Sequence, residues 1–335
     1  MSTIAPGTVT MTRRSHATPL LRPKALVSGT LPSRDVAATR AFYEEALGLE
    51  VRQVSEDRLL VRLGYDHVYE VEKVDEQIEM PLLRHNGVNA RGDIVEGHAK
   101  LLEVKDEYGI KKMTKPAVLH GTFGFYLQDR DHNWWEVAPA IDGPSENFME
   151  DLSDGPDMTE EQARARFRPD KDVLGEAIED YAARHPNDSG KPSILQTTCI
   201  SHGTLESAGL QESRRFYEEV LGLHVKQLSP LSIMVGLATD HRYVVVAAPH
   251  GKPNMEHCFR NRLLFDTEDD LRAAREALLP LENTKVTDIS ELVQHEDGRV
   301  SFEIRDLDRN WWELYHDPSG APTRFFADAS TEHQQ

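Results

Sequence analysis

The chain has 335 residues, 39% hydrophobic and 28% charged, which is enough for two ordinary domains with separate cores. Its net charge, 38 − 57 = −19, speaks against sequence-independent nucleic-acid binding and against attraction to anionic lipid. Two cysteines, Cys199 and Cys258, are too few for a disulfide framework or a cysteine zinc site.

The first 24 residues hold no apolar run long enough for a signal peptide, and no stretch approaches the ~20 apolar residues of a membrane span. A cytoplasmic protein with a loosely held N-terminal arm over residues 1–22 is the expectation. A short apolar segment, "KALVSGTL", reads as a strand. It is followed by "TRAFYEEALGLE", a helix with Phe42, Tyr43 and Leu47 on one face and Gly48 as its stop. Two or three strands fit "DRLLVRLGYDHVYEVEKV", and a further strand–helix–strand set closes on "DRDHNWWEV". Residues 141–194 are acidic and punctuated by Pro and Gly. Helices near "MTEEQARARF" and "DVLGEAIEDYAARH" make them a structured connector.

The same order then recurs. "SRRFYEEVLGLH" begins at Ser213 and "TRAFYEEALGLE" at Thr39, an offset of 213 − 39 = 174. That offset also aligns Gly29-Thr30-Leu31 with Gly203-Thr204-Leu205 and Asp66-His67 with Asp240-His241. The pattern Asp-x-Asp-x-Asn-Trp-Trp-Glu ends at Glu136 and again at Glu313, an offset of 313 − 136 = 177. The chain is therefore an internal repeat over residues 23–140 and 195–318, each copy being two βαβββ-like units, with a tail at 319–335. The Asp-x-Asp-x-Asn runs read as turn formers. They lack the Gly and distant Glu of a calcium loop. In each Trp pair, one ring faces the core and the other faces the opposite side of the strand.

A strand, a helix ending "FYxxxLGL" and a closing "D-x-D-x-N-x-x-E" strand resemble the vicinal oxygen chelate superfamily of glyoxalase I, bleomycin-resistance proteins and type I extradiol dioxygenases. The likeness covers about 240 of the 335 residues. It implies an α+β fold in which paired βαβββ units form two open mixed β-barrels, each able to surround a divalent metal. Two units per domain and two domains per chain is the layout of the extradiol enzymes, where usually only the C-terminal domain keeps its metal.

Carried over by position, the resemblance implies His202 and Glu313 as metal ligands. His202 lies 216 − 202 = 14 residues before Phe216, and Glu313 closes the last strand. His257 is the implied third ligand, although counting back from "DTEDDL" puts Arg260 there, and arginine cannot bind a metal. In the first copy the matching positions are Ser28 and Leu82, while Glu136 survives and His85 is an alternative second ligand. The first copy is thus read as metal-free. His241 is the implied acid–base catalyst, suited by its near-neutral pKa, although its counterpart His67 favours a structural role. The family places a tyrosine about 10 residues before the glutamate; Tyr126 stands there in the first copy and Glu303 in the second.

Two histidines and a glutamate leave coordination positions open, as in non-haem Fe(II) sites. The implied activity is extradiol cleavage of a small aromatic diol by O2, with Fe(II), or Mn(II) or another divalent metal, as cofactor, in a homo-oligomer without nucleic-acid or membrane partners. A glyoxalase-like isomerase or lyase is the alternative if two copies or two chains share a four-ligand site. A metal-free ligand-binding protein of the bleomycin-resistance type is the third.

Overall fold

The computed structural model describes residues 11–64, 68–91, 93–118, 123–139, 157, 159, 161, 193–248 and 255–327. The two connector helices expected within 141–194 lie outside the described residues. No helix among the described residues is long and apolar enough to cross a membrane.

Each copy contains the two units expected. In the first, strand β1 (Ala25–Ser33) leads into helix α1 (Val36–Ala41) and strands β2 (Glu50–Ser55), β3 (Arg58–Arg62) and β4 (Val68–Lys73). The second unit is β5 (His85–Arg91), α2 (Ile94–Glu103), the short β6 (Lys112–Met113) and β7 (Ala117–Val118), then β8 (Phe123–Gln128) and β9 (Trp134–Pro139). Copy 2 repeats this with β10 (Gln196–Ser207), α3 (Leu210–Arg215), β11 (His224–Ser229), β12 (Ser232–Gly236) and β13 (Arg242–Ala247). Its second unit is β14 (Arg260–Leu264), α4 (Glu268–Leu278), β15 (Val286–Ile289), β16 (Val293–Gln294), β17 (Val300–Asp306) and β18 (Trp311–His316), with α5 (Arg324–Ala327) in the tail.

Asp35 and Thr267 cap α1 and α4, accepting from Ala38 N and Asp270 N. The "FYEE" segments after α1 and α3 continue as single wide π turns, closed by Leu47 N to Phe42 O and Leu221 N to Phe216 O. Gly48 and Gly222, both at positive φ, end them as the sequence anticipates.

The strands assemble into two open nine-stranded mixed sheets rather than closed barrels. Their composition differs from the pairing within each copy that the extradiol layout implies. One sheet joins β1–β4 of copy 1 to β14–β18 of copy 2; the other joins β10–β13 of copy 2 to β5–β9 of copy 1. The seams are antiparallel, β1 against β14 and β10 against β5. Hydrophobic packing follows the copies instead. One core gathers Phe42, Tyr43, Leu101, Val88 and Trp135, and the other Phe216, Tyr217, Leu271, Leu263 and Trp312. The seams thus cross between copies while most side-chain burial stays within them.

The repeated acidic turn ties the two units of a copy together. Asp129 Oδ1 accepts from the backbone of Asp131 and Asn133, and its Oδ2 from Trp135 Nε1 and Tyr43 OH. Asp131 then accepts from Arg34 N at 2.9 Å and Thr39 Oγ1 at 2.6 Å, at the junction of β1 and α1. Asp306 and Asp308 do the same toward Ala208 N and Ser213 Oγ. The turn-former reading holds, with a tertiary role added. Trp135 and Trp312 are core residues, while Trp134 and Trp311, on the opposite face, donate to the carbonyls of Met80 and Met255.

Residues 11–24 are not loose. Leu20 and Leu21 donate to the carbonyls of Glu219 and Val220, and Ser15 N donates to Glu218. Ile194 and Leu195 close the first copy's helix in the same way, at Glu45 O and Ala46 O. Gly222 allows this approach, since a Cβ there would come within 2.6 Å of Leu21 O.

Candidate metal centre

The seam of the second sheet brings together His202 of copy 2 with His85 and Glu136 of copy 1. Register explains the convergence: His202 lies opposite Gly87 on β5, and Gly87 lies opposite Glu136 on β9. His85 is two residues from Gly87, so all three side chains share one face. Their ligand atoms lie within 4.8 Å of one another. His85 Nε2 stands 2.9 Å from Glu136 Oε2, and the two imidazole rings are edge to face with centroids 5.7 Å apart. His85 and Glu136 are buried and His202 is half-buried.

The hydrogen bonds around these residues suit a metal. His85 Nδ1 lies 3.0 Å from the carbonyl of Leu82, which can only accept, so Nδ1 carries the proton. With Nδ1 donating to that carbonyl, Nε2 is the ring atom turned to the Glu136 carboxylate. Two atoms bound to one ion at ~2.1 Å are separated by about 3 Å, as here. His202 Nδ1 meets Ser201 Oγ at 3.0 Å, leaving Nε2 as the ring's other donor atom. Gly87 makes room, because a Cβ there would strike the His202 ring and stand 2.6 Å from Ser201 Oγ.

Tyr126 OH donates to Glu136 Oε2 at 3.2 Å, and its ring packs on His85 at 5.0 Å. Burial, then the charge of Glu136, holds its pKa far above the ordinary phenol range, so it keeps its proton. Beside the ligands on this face lie Val244 of β13, opposite Thr204, and Met234 of β12, opposite Val244. With Leu228 they form a small apolar cluster.

The expected set of His202, His257 and Glu313 is not assembled. His202 and Glu313 stand in different sheets, because the units pair across copies. His257 has a side chain 56% exposed and pairs with Glu303. Glu313 accepts from Arg262 Nε at 2.8 Å. Burial alone would raise the Glu313 pKa, but Arg262 and Arg260 overcome it and hold it at about 2. His241 is fully buried against the rings of Tyr69 and Tyr243, and burial followed by Arg242 keeps it neutral. Tyr243 alternates with Val244 along β13, so His241 packs on the face opposite the three ligand residues.

The register also shows what stands at each matching place in the first sheet. Arg260 is opposite Trp311 as His85 is opposite Trp134, and Arg262 is opposite Glu313 as Gly87 is opposite Glu136. Ser28 is opposite Arg262 as His202 is opposite Gly87. Glu70 is opposite Thr30 as Val244 is opposite Thr204. The count from "DTEDDL" that falls on Arg260 therefore lands on the residue matching His85, and an arginine there cannot bind a metal.

Two histidines and one carboxylate on a sheet of paired βαβββ units form a candidate metal centre in an α+β protein. Residues 200–314 match the family model described as the Glyoxalase/Bleomycin resistance protein/Dioxygenase superfamily. The match covers the second copy, and the chain has the vicinal oxygen chelate fold in two repeated domains. Among solved structures, a candidate dioxygenase from Bacillus subtilis subsp. subtilis str. 168 superposes with a TM-score of 0.53 at 9% identity, covering 94% of this chain and 96% of that one. A glyoxalase I variant from Zea mays gives 0.53 at 14% identity, with 91% and 94% covered. Glyoxalase I from Zea mays gives 0.50 at 15%, with 92% and 96% covered. Such identities show a shared fold. No curated protein matches the sequence.

Proposed function

We propose that the protein is a metal-dependent enzyme of this superfamily, an Fe(II)-type extradiol dioxygenase acting on a catechol-like diol. The observation that carries the reading is the convergence of His85, His202 and Glu136 with Val244 where a fourth ligand would stand. Three donors leave the remaining coordination positions to substrate and oxygen, the arrangement that two histidines and one carboxylate favour for Fe(II), with Mn(II) close in preference. Such a metal would supply Lewis acidity that lowers the pKa of vicinal hydroxyls and holds them beside O2.

The chain's own residues divide the remaining work. His85, His202 and Glu136 hold and orient the ion. Tyr126, protonated and bonded to Glu136 Oε2, would turn its single O–H from that carboxylate to a substrate oxygen that gains negative charge. Leu228, Met234 and Val244 offer an apolar wall for a ring. His241, walled off behind β13, holds no proton-transfer position toward this face, so the catalytic hydroxyl of choice is that of Tyr126.

One observation favours a second reading, a glyoxalase-like isomerase or lyase: the two copies share one site, as that alternative requires. Val244 in place of a fourth donor counts against it. Protein loaded with Fe(II) under anaerobic conditions and given a panel of catechols should consume oxygen. Oxygen uptake absent with every vicinal diol, together with isomerisation of an α-keto thiohemiacetal, would establish the second reading instead.

A further inference from the structure

The first sheet holds a second cluster at the matching place, built differently. Arg262 is 1% exposed. Its Nε donates to Glu313 at 2.8 Å, its Nη1 donates to Glu70, and its guanidinium stacks 4.5 Å above the Tyr315 ring. One cation therefore reaches a carboxylate on β18 and another on β4. Next to it, Ser28 is 0% exposed, and its Oγ has no hydrogen-bond partner among the described residues. That hydroxyl sits at the position which His202 holds in the second sheet. The apolar wall is filled as well. Phe326 of α5 packs on Leu60 and Val68, with Arg62 4.4 Å over its ring, where the second sheet presents Met234.

We infer that this is a metal site closed by the chain itself, with the guanidinium of Arg262 in the place of a divalent ion. Both carboxylates face the Arg262 guanidinium, with Arg58 also 3.2 Å from Glu70 and Arg260 3.7 Å from Glu313, and the Ser28 hydroxyl beside it lacks a partner among the described residues. The three groups supply oxygen only, the donor set that suits Mn(II), Mg(II) or Ca(II) over zinc or copper. A buried charge must be compensated, so removing the guanidinium leaves Glu70 with Arg58 and Glu313 with Arg260 as their remaining cations and opens the place between the two carboxylates. The first sheet accordingly takes up no ion in the wild-type chain, and its place opens only when Arg262 is shortened. This rests on contacts of the first sheet and is independent of the chemistry proposed for the second.

The test uses the full chain carrying Glu136→Ala, which removes the second-sheet site, with Mn(II) as the probe. Paramagnetic resonance of free Mn(II) counts bound ions, and thermal melting with and without Mn(II) reads stability. Glu136→Ala alone should bind no ion. Adding Arg262→Gly should create one site per chain and make the melting temperature rise with Mn(II). Arg262→Ala should behave alike but bind more weakly, its β-carbon taking part of the space. Mn(II) uptake by Glu136→Ala alone overturns the inference. So does failure of both double variants to bind Mn(II) or to be stabilised by it, whether they are purified folded or refolded in its presence.

Discussion

His85 Nε2 and Glu136 Oε2 stand 2.9 Å apart while the other ring nitrogen is committed to the Leu82 carbonyl, so both atoms turn to one place that an ion would share. His85→Ala or Glu136→Gln should abolish stoichiometric metal binding. Glu313→Ala should leave metal content near wild type, since that carboxylate serves Arg262 in the other sheet. Elemental analysis of purified variants decides this. Loss of metal in Glu313→Ala with retention in Glu136→Gln would return the centre to the second copy.

Gly87 lets the His202 ring lie against β5. A methyl group there must push the ring or Ser201 aside, and an ångström of ligand displacement is costly in a three-donor site. Gly87→Ala should weaken metal affinity by about 10–100-fold, the usual size of a disturbed supporting contact, with little change in melting temperature. Competition with a chelator measures it. An unchanged affinity would mean that His202 is not a ligand.

Tyr126 touches the centre through its hydroxyl on Glu136 and its ring on His85. Tyr126→Phe keeps the ring on His85 and removes the donor. Metal content should persist while turnover falls by about 10²–10³, as for loss of one donor at a developing charge. Equal activity in the two proteins would confine the tyrosine to packing.

Arg262 is buried between two carboxylates, so Arg262→Met should destabilise the fold by about 3–5 kcal/mol through the charges it strands. The same cluster predicts a pH dependence. Glu313 titrates at about 2 when folded, below the ordinary 4.5, so its contribution is present above pH ~4.5. It is lost as pH falls toward ~2, since the unfolded chain takes up the proton first. Denaturant midpoints from pH 6 to 2 should show this decline in wild type and a shallower one in Glu313→Gln. Parallel curves would rule out Glu313 as the group responsible.

What the sequence determined by itself is the local and the repeated. Apolar spacing, Asp35 and Thr267 as caps, and Gly48 and Gly222 as stops suffice for the helices, because these act within a turn or two of chain. The two copies of Asp-x-Asp-x-Asn-Trp-Trp-Glu reveal the duplication, and their first aspartates make the same turn twice. His202, Glu136 and His85 were all visible as donors. Which of them meet was decided by tertiary structure. A βαβββ unit exposes an unpaired strand edge, and either other unit can satisfy it with the same backbone hydrogen bonds. Nothing local distinguishes β1 meeting β14 from β1 meeting β5. The choice falls on the cross-copy seams, and with it His202 joins the glutamate of the other copy while Glu313 is left to Arg262. The arginine at 260 was the one local hint, since a fixed positive charge at a ligand position is incompatible with a metal there.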